Sequence, residues 1–387
     1  MRLACVVHRY GTDVTGGSEA HCRTIAEHLA ERHDVTVLTT TAKNYVTWRN
    51  AYPAGETRVN GLRVVRFHVQ RPRRLHEFRD LSDLVFTGAA TLEEQARWFD
   101  ENGPIVPGLI DHLTSGVPAY DRVLFWSYRY YPAFHGVQAV RDRAVLVPTA
   151  EEDPLIHAPI LASYFAWPRA YLFLTPEERD LVASRLAGAI PPSAVIGAGL
   201  DPPAGPEDRK ALDAIGIPEA FLLYVGRIER NKGCEILLRY FAAYLAGGRP
   251  PIPLVMAGPA IMPVPEHPLI HPLGYVPDTV RDALLAHARS LVVPSPYESL
   301  SMVLLEAWNR GTPALVNGRC RVLKGQVERA DGGLHYGTAR EFAEALELLV
   351  RDPALARTLG GQGRAYVDAE YRWAVVMQRI ESLLAGK

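Results

Sequence analysis

The sequence has no uninterrupted run of eighteen apolar residues, which is the length that a membrane-spanning helix requires. It has only four cysteines, Cys5, Cys22, Cys234 and Cys320, and none of them is in a CxxC spacing. Isolated cysteines without a metal-binding pattern indicate free thiols in a reducing compartment. The N-terminal segment lacks a long hydrophobic region with a cleavage site, so we expect no signal peptide and a cytoplasmic protein.

Several kinds of site are also absent from the sequence. With 42 Lys and Arg against 43 Asp and Glu, the formal net charge is −1, and the basic excess that nucleic-acid binding requires is missing. There is no HExxH and no Cys/His cluster, and the triplet "EED" has no supporting ligands nearby, so we expect no metal ion and no cofactor. No strand runs into G-x-G-x-x-G, which disfavours a nicotinamide-dependent oxidoreductase.

What is present suits a globular enzyme of two domains. The chain has 387 residues, of which 48% are hydrophobic and 22% charged, enough for two cores. In the first half, the run "RLACVVHRY" precedes a glycine turn, a helix predicted over residues 18–32, and the strand "DVTVLTT". Further strands are predicted at "GLRVVRFHV", "RVLFWSY", "AVLVPTA" and "AYLFLT".

The second half repeats this alternation after a segment rich in Pro and Gly, "PPSAVIGAGLDPPAGPEDRKAL", which predicts an interdomain linker. A helix is predicted at "CEILLRYFAAYLA", and strands at "FLLYVGR", "PLVMAG", "LIHPLGYV", "ARSLVVPS" and "TPALVN". These runs are continuously apolar, as parallel strands covered on both faces are. We therefore predict the α/β class, with two α/β domains in tandem over residues 1–200 and 201–370.

Two glutamates flank the start of one predicted helix, "SMVLLEAWNRG". Glu298 lies in the turn after the strand "ARSLVVPS", with Ser299 or Ser301 as the helix N-cap, and Glu306 lies two turns into the helix. Eight helical residues correspond to roughly 12 Å and about 80° of rotation, too far for one metal ion. Two such carboxylates suit the two ends of a long polar ligand with an anionic group facing the helix N-terminus. The alternative is that both are solvated or pair with arginines.

Cations and glycines occupy two other turns between a strand and a helix. Arg227 and Lys232 in "YVGRIERNKG" suit a diphosphate, unless they form an ordinary exposed basic turn. Gly16 and Gly17 in "GTDVTGGSEA" would let a phosphate approach the backbone, unless they form an ordinary glycine turn.

Together these segments resemble the GT-B glycosyltransferases, specifically the retaining family 4. The resemblance rests on the Gly-Gly turn, "VGRIERNKG", "MAGP", "LGYVPD" and the E-x7-E stretch followed by "GTP". It implies two Rossmann-like domains facing a cleft, with acceptor binding in the N-terminal domain and nucleotide-sugar binding in the C-terminal one. The closing segment "YRWAVVMQRIESLL" resembles the family's last helix, so residues 371–387 are expected to cross back to the N-terminal domain.

The resemblance also implies roles for individual residues. Arg227 and Lys232 match the pair that neutralises the donor diphosphate, Glu298 faces the hydroxyls of the donor sugar, and Glu306 holds the ribose hydroxyls. The remaining donor-binding residues are the amides of Ser299, Leu300 and Ser301 at a phosphate, Val276 at the nucleobase, and Gly16 and Gly17 beside the phosphate or sugar.

The sequence departs from the family pattern at two places. It has "ESLS" where many members have "EGFG", which leaves the shape of the sugar pocket open. It also lacks the histidine that many members carry just after the strand corresponding to "RVLFW". Candidates on this acceptor side, each with a purely structural alternative, are Tyr128, Arg129, His135 and Glu151, and in addition His8 and Asp153.

The function implied is a retaining, metal-independent hexosyltransferase that uses a UDP-sugar rather than a GDP-sugar and a hydroxyl of a glycan, lipid-linked or small-molecule acceptor. The expected chemistry is attack by the acceptor hydroxyl on the face from which the diphosphate leaves, so no protein nucleophile is required. The leaving phosphate can itself accept the proton. The alternatives are a non-catalytic protein, an epimerase or a phosphorylase of the same fold, although no lysine has a context typical of pyridoxal binding. A group of seven arginines between Arg58 and Arg79 indicates at most peripheral contact with a membrane or anionic acceptor, and a solvated face is the expected alternative. The oligomeric state is not predicted.

Overall fold

The computed structural model describes residues 1–14, 16–117, 119–205 and 208–386. The chain forms two compact units. Unit 1 comprises Met1–Gly199 and Val376–Lys387, and unit 2 comprises Leu200–Val375. Among the described residues, no helix is both long and apolar enough to cross a membrane.

Unit 1 is built on an eight-stranded sheet. Its strands are β1 (Arg2–Val6), β2 (Asp34–Thr40), β3 (Gly55–Val59), β4 (Leu62–Phe67), β5 (Arg122–Trp126), β6 (Ala144–Val147), β7 (Ala170–Phe173) and β8 (Ser193–Val195). Its helices are α1 (Gly17–Leu29), α2 (Leu75–Phe86), α3 (Leu92–Asn102), α4 (Pro107–Thr114), α5 (Tyr131–Ala139), α6 (Ile160–Tyr164) and α7 (Pro176–Ala183), with a 3-10 turn at Pro154–His157.

The strand order in unit 1 is β3-β4-β2-β1-β5-β6-β7-β8. All neighbours are parallel except β3 and β4, which form an antiparallel hairpin. From β1 the chain winds first towards β4 and then, from β5, in the other direction. The order therefore reverses between β1 and β5, the switch point at which open α/β sheets bind ligands.

Unit 2 contains a six-stranded sheet in which all neighbours are parallel. Its strands are β9 (Leu222–Val225), β10 (Leu254–Ala257), β11 (Ile270–Gly274), β12 (Ser290–Val293), β13 (Ala314–Asn317) and β14 (Gly333–Tyr336). Its helices are α8 (Lys210–Asp213), α9 (Cys234–Ala246), α10 (Asp278–His287), α11 (Met302–Asn309), α12 (Arg321–Ala330), α13 (Ala339–Arg351) and α14 (Pro353–Glu370), with a 3-10 turn at Arg230–Lys232. A last helix, α15 (Trp373–Leu384), ends the chain, and its residues from Val376 onwards belong to unit 1.

The strand order in unit 2, β11-β10-β9-β12-β13-β14, reverses between β9 and β12. The central strands of both sheets are buried along all or nearly all of their length, because the helices cover both faces with apolar side chains. The predicted α/β class with two doubly wound, parallel-sheet domains is thus confirmed.

Two local predictions need correction, and one strand was not predicted. The helix predicted over residues 18–32 spans Gly17–Leu29. The linker prediction is wrong for Ser193–Val195, because these residues form β8 at the edge of the first sheet. Strand β3 was not predicted, since its side chains are nearly all exposed and show no apolar pattern.

Candidate functional site

The switch point of unit 2 brings together two loops that sequence analysis singled out. Strands β9 and β12 are neighbours and end at Val225 and Val293. Because they are parallel, the loop that carries Arg227 and Lys232 and the loop that carries Glu298 leave the sheet at the same edge.

Gly233 holds these two loops against each other. Its φ is 76°, in the left-handed region that favours glycine, and it directly precedes α9. A Cβ at this position would lie closer than 3.0 Å to the backbone carbonyl of Pro294, just after β12. The loop of Lys232 can therefore rest on the backbone of the other loop only because residue 233 has no side chain.

This contact places Lys232 beside Glu298. Lys232 Nζ donates to Glu298 Oε1 over 2.9 Å, and the two side chains are 33% and 13% exposed. The other cation of the loop, Arg227, is more exposed and pairs with Glu229 through Nη2 at 3.0 Å. The sequence identified Lys232 and Glu298 as separate donor grips but not as partners of each other.

Helix α11 begins at Met302, four residues after Glu298. The N-cap is Ser301, as expected, but its side chain makes no capping hydrogen bond. Glu306 is the fifth residue of the helix rather than two turns into it, and Glu298 precedes the helix, so the helical separation of roughly 12 Å does not apply. Ser299 is partly buried and Leu300 is buried, and both lie in the turn whose backbone leads into the positive end of the helix.

Glu306 has a partner that sequence reasoning missed. Arg281 of α10 donates from Nη1 to Glu306 Oε2 over 3.0 Å. Burial raises the pKa of Glu306 above its ordinary value, while the charges of Arg281 and Arg310 oppose that shift. Nothing in the local pattern "DTVRDALL" separates a paired arginine from a solvated one, so the sequence held no signal for this pair. Val276 is partly buried in the short turn between β11 and α10.

The switch point of unit 1 carries a buried charged cluster. His8 and Arg9 follow β1, and Glu19 lies in the first turn of α1. Glu19 Oε1 accepts from His8 Nε2 over 2.9 Å and from Arg9 Nε over 2.8 Å, and all three side chains are nearly inaccessible. Burial alone would raise the pKa of Glu19, but His8 and Arg9 lower it to about 2. Tyr130, after β5, stacks on His8 with 3.8 Å between the ring centroids.

The two glycines at this edge are placed differently. A Cβ on Gly16 would lie closer than 3.0 Å to the Glu19 carboxylate, so Gly16 lets Glu19 fold back over the turn. A Cβ on Gly17 would meet no described atom of the chain within 4 Å. Gly16 thus has a structural reason to be glycine, and the predicted contact of both glycines with a donor stays a prediction.

The acceptor-side candidates occupy several environments. Tyr128 is completely buried, and Arg129 pairs with Asp153 through Nη2 at 2.6 Å. His135 lies on α5 and pairs with Asp100 at 2.8 Å, and Glu151 is partly buried in the turn after β6. The structure thus joins Arg129 to Asp153 but does not link His135 to this pair, and their roles with an acceptor stay predictions.

The group of arginines between Arg58 and Arg79 is not one solvated face. Arg66 is buried and donates to the backbone oxygen of Tyr10, while Arg71 and Arg74 both pair with the buried Glu101. Arg66, Arg71 and Arg74 therefore form contacts within unit 1 rather than one solvated face.

The described residues contain no group of three or more His, Cys, Asp or Glu side chains that is arranged to hold a metal ion.

Parts of the sequence are similar to known glycosyltransferases. Residues 209–366 match the family model described as "Glycosyl transferases group 1". The D-inositol 3-phosphate glycosyltransferase of Corynebacterium aurimucosum is 30% identical over 202 residues, which cover 46% of this chain and 46% of that protein. The glycogen synthase of Mycobacterium tuberculosis is 29% identical over 168 residues, which cover 41% of this chain and 40% of that protein. The matches thus span less than half of the length of these relatives.

Solved structures match along the whole chain. Sucrose-phosphate synthase from Thermosynechococcus elongatus superposes with a TM-score of 0.72 at 18% identity, covering 100% of both chains. Anabaena Alr3699/HepE in complex with UDP and glucose superposes with a TM-score of 0.72 at 16% identity, again covering 100% of both chains. At such identities the likeness shows the fold, and it confirms the GT-B architecture.

Proposed function

We propose that the chain, whose residues 209–366 match the family model of the group 1 glycosyltransferases, transfers a sugar from a UDP-sugar to a hydroxyl group with retention of anomeric configuration. The observation that carries this proposal is the pairing of Lys232 with Glu298 at the switch point of unit 2. A cation and a carboxylate at one strand edge offer the two kinds of group that a nucleotide sugar needs.

The pair suits a donor because its partners can be exchanged. A partly exposed Lys–Glu pair contributes only about 0–1 kcal/mol, whereas a hydrogen bond to a charged group contributes about 1.5–3 kcal/mol. A diphosphate can therefore replace Glu298 as the partner of Lys232 at small cost. Glu298 is then released to accept hydrogen bonds from the hydroxyls of the donor sugar.

Other groups on the same loops complete the donor site. Arg227, the second cation of its loop, offers a planar fork to a phosphate, and the amides at the start of α11 lie at the positive end of a helix. Glu306 would accept the two ribose hydroxyls, with Arg281 favouring its ionised form. These cationic and dipolar groups stabilise the departing diphosphate, so the reaction proposed needs neither a metal ion nor a protein nucleophile.

We favour UDP over GDP because Anabaena Alr3699/HepE, which shares the fold, was solved in complex with UDP-glucose. A hexose is accordingly the transferred group that we propose, and the acceptor is a hydroxyl compound. Catalysis in the cytoplasm remains part of the proposal.

Titration calorimetry of the full chain with UDP, GDP and NAD⁺ tests this proposal. We expect UDP to bind most tightly, and Lys232→Met to weaken UDP binding about tenfold or more, the value of one charge-assisted hydrogen bond. Lys210→Met is the matched control, because Lys210 is 89% exposed and pairs only loosely with Asp208, at 3.6 Å. Preferential binding of NAD⁺, or equal UDP affinity in both variants, would contradict the proposal.

A second assay separates transfer from the alternative functions of the same fold. UDP-glucose is incubated with the protein and with a panel of sugars that includes oligosaccharides, in a buffer containing inorganic phosphate, and the products are identified by NMR. A new glycoside with the anomeric configuration of the donor is expected. An epimerised donor, a sugar 1-phosphate, or tight UDP binding without turnover of any UDP-sugar would instead indicate an epimerase, a phosphorylase or a non-catalytic protein.

A further inference from the structure

The sheet of unit 1 has an outer edge that no described strand covers. Strand β3 (Gly55–Val59) is the last strand on one side of the sheet, and among the described strands it pairs only with β4. Its residues are exposed except for Val59, which is partly buried. An uncovered strand edge presents backbone N–H and C=O groups that can pair with another strand.

The hairpin determines which backbone groups of β3 face outward. A two-residue turn joins Val59 to its partner Leu62, and residues so placed exchange both backbone hydrogen bonds. Hydrogen-bonded and non-hydrogen-bonded pairs alternate along antiparallel strands, so Thr57 also bonds to β4. The backbone N–H and C=O groups of Glu56 and Arg58 therefore point towards the free edge.

The charges of these two residues are complementary to those of a second copy of β3. Glu56 and Arg58 are two residues apart, so their side chains lie on the same face of the sheet. When two copies of β3 pair antiparallel about a twofold axis at Thr57, Glu56 of each copy lies opposite Arg58 of the other. All four of these residues have outward-facing backbone groups, so this register forms four backbone hydrogen bonds.

Other registers of the same two strands are less favourable. Pairing centred on Glu56 or on Arg58 also aligns outward-facing backbone groups, but it places like charges directly opposite each other, which is destabilising. A shift by one residue would set the outward-facing groups of one copy against residues that already bond to β4. The charges and the backbone therefore select the register centred on Thr57.

Contacts within the hairpin do not prevent this pairing. Glu56 Oε2 accepts from Arg63 Nη2 over 2.8 Å, and the two side chains are 54% and 45% exposed. Arg58 Nη1 donates to the backbone oxygen of Gly61 over 2.8 Å. Exposed ion pairs contribute little to stability, and a carboxylate can accept from more than one guanidinium. Glu56 can thus keep Arg63 and also accept from Arg58 of a second copy.

We propose that β3 is a dimerisation surface, which pairs antiparallel with β3 of a second copy of this chain and joins the two eight-stranded sheets into one. The edges of two five-residue strands make a small interface, and small interfaces are weak. The expected dimer therefore dissociates at micromolar concentrations rather than being permanent. The proposal is independent of the transferase function.

Charge reversal tests the pairing in the full chain. In Glu56→Arg, arginines face Arg58 across the twofold axis, and in Arg58→Glu, glutamates face Glu56. Sedimentation velocity at increasing concentration should show a dimer of the unmodified protein, and each variant should dimerise about tenfold or more weakly. An equimolar mixture of the two variants should restore the dimer, because the arginines of one variant then face the glutamates of the other.

The same measurements can overturn the proposal. An unmodified protein that is monomeric at every concentration would leave this edge to solvent or to another partner. A dimer that both variants retain would be formed by a different surface. Two folded variants, as judged by circular dichroism, that do not associate when mixed would exclude the register centred on Thr57.

A cross-link tests the register without a change of charge. Residue 57 lies opposite its own copy in a non-hydrogen-bonded pair, whose Cα atoms are about 4.5 Å apart, within reach of a disulfide. Thr57→Cys should therefore form a disulfide-linked dimer with oxidised glutathione, which takes up the two hydrogen atoms of the thiols.

Val59→Cys is the matched control for this cross-link. Its side chain lies on the same face of β3, but in the proposed register the two copies of residue 59 are about 14 Å apart along the strands. The four native cysteines are buried, so they contribute little to the reaction. Equal cross-linking of the two variants, or none in Thr57→Cys, would overturn the proposal.

Discussion

Replacement of Gly233 by alanine should separate a backbone effect from a steric one. An alanine at a φ of 76° costs about 1–2 kcal/mol, because its Cβ approaches the following carbonyl oxygen. The Cβ would also collide with the Pro294 carbonyl, and forcing an additional carbon into a packed site costs typically about 1–3 kcal/mol. We expect Gly233→Ala to lower the free energy of unfolding of unit 2 by about 2–5 kcal/mol.

Gly311→Ala is the matched control for this variant. Gly311 has a φ of 78° in the same unit, and a Cβ there would meet no described atom within 4 Å. Only the backbone cost of about 1–2 kcal/mol applies to it. Urea unfolding of both variants gives the difference in stability. UDP titration gives the functional consequence: Gly233→Ala should bind UDP more weakly, because Lys232 moves away from the place where it is proposed to meet the diphosphate. Equal destabilisation by the two variants, with UDP affinity unaffected, would refute the view that Gly233 positions Lys232.

Four further predictions concern these sites and Glu178, a buried residue of α7 in unit 1. Glu306→Ala should weaken UDP binding by the loss of ribose hydrogen bonds of about 1–3 kcal/mol, whereas Glu298→Ala should lower turnover and nearly preserve UDP affinity. Equal losses of affinity in calorimetry would contradict this division. Gly17→Trp should stop transfer but preserve UDP binding, since the space beside Gly17 admits a larger side chain within unit 1 while the resemblance assigns this residue to the transferred sugar. Normal transfer by that variant would place the reaction away from this turn. Transfer should survive excess EDTA, and a loss that Mg²⁺ or Mn²⁺ restores would show a metal requirement. Burial raises the pKa of Glu178 to about 8, so its contribution to stability is full below pH 4.5 and is lost as the pH rises through about 8. Relative to Glu178→Gln, the unmodified protein should therefore lose stability over this range in urea unfolding, and a difference that stays constant with pH would be inconsistent with the shift.

The sequence predicts best those helices and strands whose buried residues form a regular apolar pattern. Strand β2 was predicted at Asp34–Thr40 and helix α9 at Cys234–Ala246, and the structure has both with the same bounds. Each has a continuous apolar run or an apolar stripe between clear ends. Strand β3 gives no such pattern, because it lies at the sheet edge with its side chains in solvent. A signal was nevertheless present: Asn60 and Gly61, with φ of 49° and 82°, form the kind of turn that joins two hairpin strands.

For the candidate site, the sequence identified residues but not their partners. Lys232 and Glu298 are 66 residues apart, and their contact depends on β9 lying beside β12, which local patterns do not reveal. The pairing of Arg281 with Glu306 depends in the same way on the packing of α10 near α11. Such contacts follow from strand order and helix packing, which are decided by the whole domain rather than by any one segment.

The four cysteines can serve as built-in probes of local unfolding. All are buried, and burial raises the pKa of every thiol, that of Cys5 to about 12 and that of Cys320 to about 11, so a thiol reagent reacts slowly with the native chain. Cys5 and Cys22 belong to unit 1, and Cys234 and Cys320 belong to unit 2. Mass spectrometry of the labelled peptides would therefore time the fluctuations of each unit separately. Because Cys234 follows directly after Gly233, a nucleotide that binds the loop of Lys232 should protect this thiol and leave the labelling rates of Cys5 and Cys22 unaltered.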